Sequence, residues 1–179
     1  MRIMVFFTSA GLKSMGAAGE MIRLSDSLRK GLTTASSSVF LSHSHVETSH
    51  IEDAKRILEA NGASVYVDSE DPDMPSSTSS ATAARLKEKI RGFDRFVLLA
   101  SEKSLASRWV PWELGFADAA KGMPSIAILP FTSASGTWRG TEYVGLYSTI
   151  RPAEGGGVGV FEPDKNSGSK LSTWLRNKP

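Results

Sequence analysis

Four short apolar runs, each rich in β-branched and aromatic residues, dominate the middle of the chain. Apolar residues follow one another in these runs instead of alternating with polar ones, which is typical of strands buried on both faces of a parallel sheet. The runs are SVFLSH (38–43), SVYVD (64–68), RFVLLAS (95–101) and SIAILPF (125–131). A sheet built from such strands needs a layer of helices on each face.

Segments with helical periodicity lie between these runs. The predicted helices span 50–61, 80–91 and 112–121, and a glycine follows each of them, at positions 62, 92 and 122. Glycine after the last turn is typical of a helix C-terminus. Strand and helix thus alternate along the chain with short connections, which predicts a doubly wound α/β fold. We expect a flavodoxin-like, mostly parallel five-stranded sheet, with residues 142–150 as the candidate fifth strand.

The two ends of the chain fit this pattern less closely. RIMVFFTS (2–9) predicts a further strand and residues 19–32 predict a helix, before a Ser/Thr-rich stretch. We therefore interpret residues 1–37 as an N-terminal extension that adds to the sheet or packs on it, and residues 38–179 as the main domain.

Three segments outside the predicted strands and helices complete the outline. Residues 69–80 are rich in polar and turn residues, which predicts a surface loop. EGGGVGVFE (154–162) lacks the spacing of a dinucleotide-binding glycine loop and predicts a hairpin instead. Residues 169–178 predict a closing helix with Leu171, Trp174 and Leu175 on one face.

The composition excludes several kinds of function. The net charge is +2, from 21 basic and 19 acidic residues that are dispersed along the chain, so we expect neither a nucleic acid nor a membrane as partner. The chain has no cysteine, which excludes a thiol nucleophile and favours a reducing cytoplasm. No apolar run approaches the ~18 residues needed to span a bilayer. We expect a soluble, cytoplasmic protein.

Polar segments follow three of the predicted strands, at 42–47, 68–75 and 101–113. Ligands of open parallel sheets bind beyond the carboxyl ends of the strands, so these segments are expected to converge on one site. The third segment ends in RWVPWE, which places the carboxyl group of Glu113 next to Trp109 and Trp112. The residues alone leave two interpretations open. Glu113 is either an acid in the first turn of a helix, where it suits the helix dipole, or a group that acts on a substrate.

Three histidines lie close together, at positions 43, 45 and 50. Alternate residues of an extended segment point the same way, so His43 and His45 raise the question of a metal site. A zinc site would need a further ligand or an orienting carboxylate, and the sequence places neither beside them. We expect no metal.

Taken in order, these features resemble a Toll/interleukin-1 receptor (TIR) domain of the bacterial kind. A strand ending in serine is followed by a polar loop, a second strand ends in aspartate, and the third reads VLLAS. Trp-x-x-x-Glu, at Trp109 and Glu113, then opens the next helix. The resemblance covers residues 38–131.

The resemblance implies a TIR fold and a function. Many TIR domains cleave the bond between nicotinamide and ribose in NAD⁺, and the Glu of Trp-x-x-x-Glu is essential, so Glu113 is the candidate catalytic residue. Candidate substrate-binding residues are Ser42, His43, His45, Asp68 and Trp109. NAD⁺ is then the substrate, and no cofactor is expected.

The resemblance also implies partners. Some bacterial members convert the ADP-ribose product into a signal in anti-phage defence, and the chain is similar to the TIR sensor component of the Thoeris system. The implied partners are other TIR protomers in a self-assembly, a phage-derived trigger, and a downstream effector reached through the nucleotide signal.

Elementary chemistry supports a carboxylate in this role. Cleavage of an N-glycosidic bond develops positive charge on the ribose ring, which a nearby carboxylate stabilises. Two other functions stay open: a non-catalytic TIR module that binds other proteins, and an enzyme like a nucleoside 2-deoxyribosyltransferase, which shares the sheet topology and a reactive Glu. The choice of substrate separates them, and the sequence does not indicate whether the product is linear or cyclic.

Overall fold

The computed structural model describes residues 5–30, 36–44, 48–75, 79–132, 138 and 142–177, without the side chains of residues 26–30 and 48. The strands within these ranges are β1 (Phe7–Thr8), β2 (Ser37–Ser42), β3 (Ala63–Tyr66), β4 (Arg95–Ala100), β5 (Ile126–Thr132), β6 (Ser148–Pro152), β7 (Val158–Phe161) and β8 (Gly168–Lys170). The helices are α1 (Ser9–Lys30), α2 (Thr48–Ala60), α3 (Ser80–Gly92), α4 (Trp109–Lys121) and α5 (Leu171–Arg176).

The centre of the molecule is a parallel sheet in the order β3-β2-β4-β5-β6. This arrangement confirms the predicted α/β fold with its five parallel strands. Strands β7 and β8 extend the sheet in antiparallel fashion, and β1 pairs in parallel with the end of β5, Phe7 opposite Phe131. The described sheet therefore has eight strands instead of five.

Helices cover both faces of the sheet, as the continuous apolar runs predicted. Alternate residues of β2 show the division, since Val39 and Leu41 pack towards α1, α2 and α5, whereas Phe40 packs towards α3 and α4. All residues of the central strand β4 are buried. Burial of each Val, Leu, Ile or Phe side chain contributes about 1.5–3 kcal/mol, so these two apolar layers fix the sheet between the helices.

Helix α1 begins ten residues before the predicted start at residue 19. Thr8 caps the helix, since its hydroxyl oxygen accepts a hydrogen bond from the Gly11 N–H at 3.0 Å. Gly16 and Gly19 then let α1 lie close against α2, because a Cβ on Gly16 would be 3.0 Å from the backbone of Asp53. Strand β1 is shorter than predicted, and residues 1–4 lie outside the described part of the chain. The boundary after residue 37 stays a prediction.

The predicted strand over 142–150 is wrong in its first half. Residues Glu142–Leu146 form a 3₁₀ helix, and β6 starts only at Ser148. Val144 and Tyr147 are both buried and stand three residues apart, which is the repeat of a 3₁₀ helix and not of a strand. The predicted hairpin over 154–162 is confirmed as the turn between β6 and β7. Three glycines with positive φ, at 155–157, form that turn.

A buried arginine joins the closing helix to the sheet. Arg95, the first residue of β4, is 1% exposed, and its guanidinium lies 4.3 Å from the Trp174 ring centre. The guanidinium donates hydrogen bonds to the carbonyl oxygens of Pro124 at 2.8 Å and Trp174 at 2.6 Å, and to that of Asn177. The sequence pattern did not indicate this role of Arg95. Among the described helices, none is long and apolar enough to cross a membrane.

Arg95→Met is expected to lower the free energy of unfolding by about 2–4 kcal/mol, because three carbonyl groups lose a charged donor. Urea denaturation followed by tryptophan fluorescence measures the change. Arg176→Met, at an exposed position of α5, is the matched control and should change stability by about 0.5 kcal/mol or less. Equal effects of the two substitutions would contradict this role of Arg95.

Candidate active site

Most of the predicted site residues meet at the carboxyl edge of the parallel sheet. Ser42 ends β2, Asp68 follows β3 as the first residue of a 3₁₀ helix, and Trp109 and Glu113 lie on α4. A cavity of about 460 Å³ opens at this edge, and His43, Asp68, Trp109 and Glu113 all line it. Ser42 is not among the lining residues, but its hydroxyl donates a hydrogen bond to Glu113, which lines the cavity.

Glu113 lies in the second turn of α4, because the helix begins at Trp109 instead of at residue 112. The first turn of α4 contains no acidic residue. Interaction with the helix dipole falls off within the first turn, so it does not explain an acid at this position. The interpretation of Glu113 as an acid in the first turn of a helix is therefore wrong.

The Glu113 carboxyl group is almost fully buried, at 5% exposure. The Ser42 hydroxyl donates a hydrogen bond to its Oε2 at 2.5 Å. Burial raises the pKa of Glu113 to about 8, with a further increase from the negative charge of Asp68, while the Ser42 hydrogen bond acts in the opposite direction. Among the described residues, none forms an ion pair with Glu113.

His43 is held by the loop that follows β3. Its imidazole side chain is fully buried, with Nδ1 3.5 Å from Asp68 Oδ1 and Nε2 3.2 Å from the Ser69 hydroxyl oxygen. Both ring nitrogens therefore face polar groups of one short segment. This arrangement places Asp68 against His43, where it orients the ring from the side of the cavity.

The same loop is also fixed at Asp71. Asp71 accepts a hydrogen bond from the Tyr66 hydroxyl at 2.6 Å and lies 2.9 Å from Lys89 Nζ on α3. These contacts, the Tyr66 hydrogen bond first, lower the pKa of Asp71 to about 2. The loop thus keeps a negative charge at the cavity, although a lysine partly balances it.

The two tryptophans have different places. The Trp109 ring lines the cavity next to Glu113 and packs edge-on against Trp112, with ring centres 5.1 Å apart. Trp112 faces α3 instead, stacks on Phe116 and has Lys87 Nζ 5.7 Å from its ring centre. Of the pair, only Trp109 reaches the described cavity.

Comparison with known proteins decides the family. Residues 39–151, more than half of the chain, match the TIR domain. The chain belongs to the TIR domain family. The match spans β2 to β6 and includes both the strand ends and the helix that form the cavity.

A curated relative of this TIR protein comes from Bacillus cereus (strain MSX-D12) and bears the name Probable 3' cyclic ADP-D-ribose synthase ThsB'. The two sequences are 40% identical over 116 residues, which cover 63% of this chain and 59% of the relative. The TIR protein thus matches little more than half the length of that relative.

The other two histidines of the sequence, at positions 45 and 50, differ in what the structure describes. His45 lies outside the described residues. His50 is on α2, where its ring packs 4.5 Å from the ring centre of Phe131, and it does not line the cavity. Within the described part of the chain, no group of three or more His, Cys, Asp or Glu side chains could hold a metal ion.

Several cavity residues were not predicted individually. They are Ser44, Ser69, Asp71, Pro72, Met74, Pro75, Thr82, Leu86 and Ser107. Most belong to the segment that follows β3, which the topology had placed at this edge without indicating which side chains turn inward. Two wider clefts of about 570 and 700 Å³ lie around β7, β8 and α5, and none of the predicted site residues lines them.

Glu113→Gln is expected to remove a pH-dependent loss of stability. The Glu113 pKa is about 8 in the folded protein and near 4.5 in an unfolded chain, so unfolding between these pH values releases a proton. The stability that the protonated group contributes is complete below pH 4.5 and is lost as the pH rises to 8, on the order of 3–5 kcal/mol.

Urea denaturation at pH 5, 7 and 9 tests this expectation. The Gln variant should gain stability relative to the wild type as the pH rises, whereas Glu88→Gln, at an exposed position of α3, should track the wild type throughout. A constant difference between Glu113→Gln and the wild type would show that Glu113 has an ordinary pKa.

Proposed function

We propose that this TIR domain cleaves the bond between nicotinamide and ribose in NAD⁺, with Glu113 as the catalytic carboxylate. One observation carries the proposal: a buried carboxyl group, held by the Ser42 hydroxyl, lines a cavity at the carboxyl edge of a parallel sheet. The name of the Bacillus cereus relative, a cyclic ADP-D-ribose synthase, supports the same substrate.

The chemistry needs one negative charge at the ribose. As the bond breaks, its electron pair returns to the nicotinamide nitrogen, so the base leaves neutral and needs no acid to protonate it. Positive charge develops on the ribose ring, and an ionised Glu113 stabilises that charge in the transition state. Burial strengthens this effect, because water does not screen a charge inside the cavity.

The neighbouring residues have distinct roles in this proposal. Ser42 positions the Glu113 carboxyl group through the 2.5 Å hydrogen bond. Asp68 lies against the buried His43 ring at the wall of the cavity, and both residues are kept as candidate contacts to the substrate, while Trp109 packs beside the nicotinamide ring and excludes water. His45 is kept as a further candidate contact to the ribose or the phosphates.

The product is proposed to be a signal. The name of the relative favours a cyclic ADP-ribose over the linear form. In this proposal the protein acts in the cytoplasm in anti-phage defence, assembles with other TIR protomers when a phage-derived component triggers it, and activates a downstream effector through the nucleotide.

Purified protein at high concentration should release nicotinamide from NAD⁺, and Glu113→Gln should lower the rate by about 100-fold or more, as loss of a transition-state charge contact does. Chromatography follows nicotinamide, and mass spectrometry identifies the nucleotide: a cyclic product is one water lighter than linear ADP-ribose. Glu88→Gln, which is exposed and outside the cavity, is the matched control and should retain the wild-type rate.

Other outcomes favour the two alternative functions. Absence of nicotinamide release, both with purified protein and in lysate of phage-infected cells, would favour the non-catalytic TIR module. Release of a base from a deoxynucleoside without cleavage of NAD⁺ would favour the deoxyribosyltransferase-like enzyme. Equal rates for the wild type and Glu113→Gln would remove Glu113 from the mechanism.

A further inference from the structure

We propose that the cavity selects its ligand by the positive charge of the ring that enters beside Glu113, and that this cation drives the Glu113 proton out to solvent. The inference rests on the proposed function, in which that ring is the nicotinamide of NAD⁺. The charges that line the cavity then select the ligand, and Glu113 ionises as a consequence of binding.

The lining of the cavity is acidic. Glu113, Asp68 and Asp71 face it, and the described lining residues include no lysine or arginine.

Among the described residues, the cationic groups near the cavity are already engaged or point away. Lys89 of α3 lies against Asp71 at 2.9 Å, and Arg85 of the same helix lies 3.8 Å from Asp73. His43, which is a cation only when protonated, faces Asp68 at 3.5 Å. Arg108, which precedes α4, is exposed and does not line the cavity. Glu113 itself contacts Ser42 of β2, a neutral hydroxyl. Among the described lining residues, the charge still to be balanced is negative.

A buried carboxyl group with one neutral hydrogen-bond partner stays protonated, because its ionisation would leave an unpaired buried charge. The raised pKa of Glu113, about 8, agrees with this geometry. An opposite charge within about 4–6 Å lowers the pKa of a carboxyl group by about 1 to 3, which is enough to ionise about half of Glu113 or more at pH 7. Trp109 also lines the cavity, and an indole ring is the aromatic group that attracts cations most strongly.

The proton balance is simple. The ligand enters with its positive charge, the Glu113 carboxyl O–H ionises, and the proton passes to the buffer, while no bond in the ligand changes. NADH has the same phosphates and riboses but a neutral dihydronicotinamide ring. It supplies no charge to Glu113 and is expected to bind without release of a proton.

Titration calorimetry tests the proposal with the carbocyclic analogue of NAD⁺, in which a methylene group replaces the oxygen of the nicotinamide-bearing ribose ring and prevents cleavage. At pH 7 the binding enthalpy is compared between phosphate and Tris, whose ionisation enthalpies differ, and the difference gives the number of protons released. We expect about half a proton or more for each analogue bound to the wild type, and none for NADH.

Two controls isolate Glu113. Glu113→Gln should release no proton with the analogue at any pH. The wild type should also release none at pH 9.5, where Glu113 is already ionised, so the test does not depend on the variant alone. Asp73→Asn, on the same loop but with a side chain that is 77% exposed, should behave as the wild type at pH 7.

Three results would overturn the proposal: proton release that persists in Glu113→Gln, equal release with NADH, or no binding of the analogue to the wild type. The same preparation is assayed for NAD⁺ cleavage, which keeps the two proposals apart. Cleavage without proton release refutes this inference alone, whereas proton release without cleavage supports it and refutes the proposed function.

Discussion

The short hydrogen bond between the Ser42 hydroxyl and Glu113 joins the end of strand β2 to α4, the helix that follows the neighbouring strand β4. A carboxyl group at 5% exposure is costly to ionise, so its surroundings determine both its protonation and the local stability. The charges that line the cavity, and the loops that carry them, affect the protonation of this one group. The energetic cost at this site is therefore that of ionising a buried carboxyl group.

The fold was predictable because its strongest signal is local. Strands buried on both faces must be apolar throughout, and four such runs lie within two residues of observed strands. The predictions that were wrong concern elements whose bounds depend on contacts with other parts of the chain. Helix α1 extends to Ser9 because Thr8 caps it, and residues 142–146 form a 3₁₀ helix because Val144 and Tyr147 pack on the same side. Neither contact can be read from periodicity alone.

The site was predictable only in part, for a related reason. Topology placed three segments at one edge of the sheet, and the Trp-x-x-x-Glu pattern selected Glu113 within them. It could not show that Trp112 turns towards α3, or that Ser69 meets the His43 ring. Those details depend on the orientation of side chains after packing. The role of Arg95 could not be predicted either, since its hydrogen-bond partners lie 29 to 82 residues further along the chain.

The contacts of Arg95 have a consequence for the order of folding during synthesis. The central strand begins with a guanidinium whose carbonyl partners include those of Trp174 and Asn177, near the far end of the sequence. Until those residues leave the ribosome, the Arg95 guanidinium at the start of β4 lacks two of its hydrogen-bond acceptors and is more stable in water than in the interior. The carboxyl edge of the sheet is assembled from earlier residues, and the sheet gains these contacts only after Trp174 and Asn177 have left the ribosome.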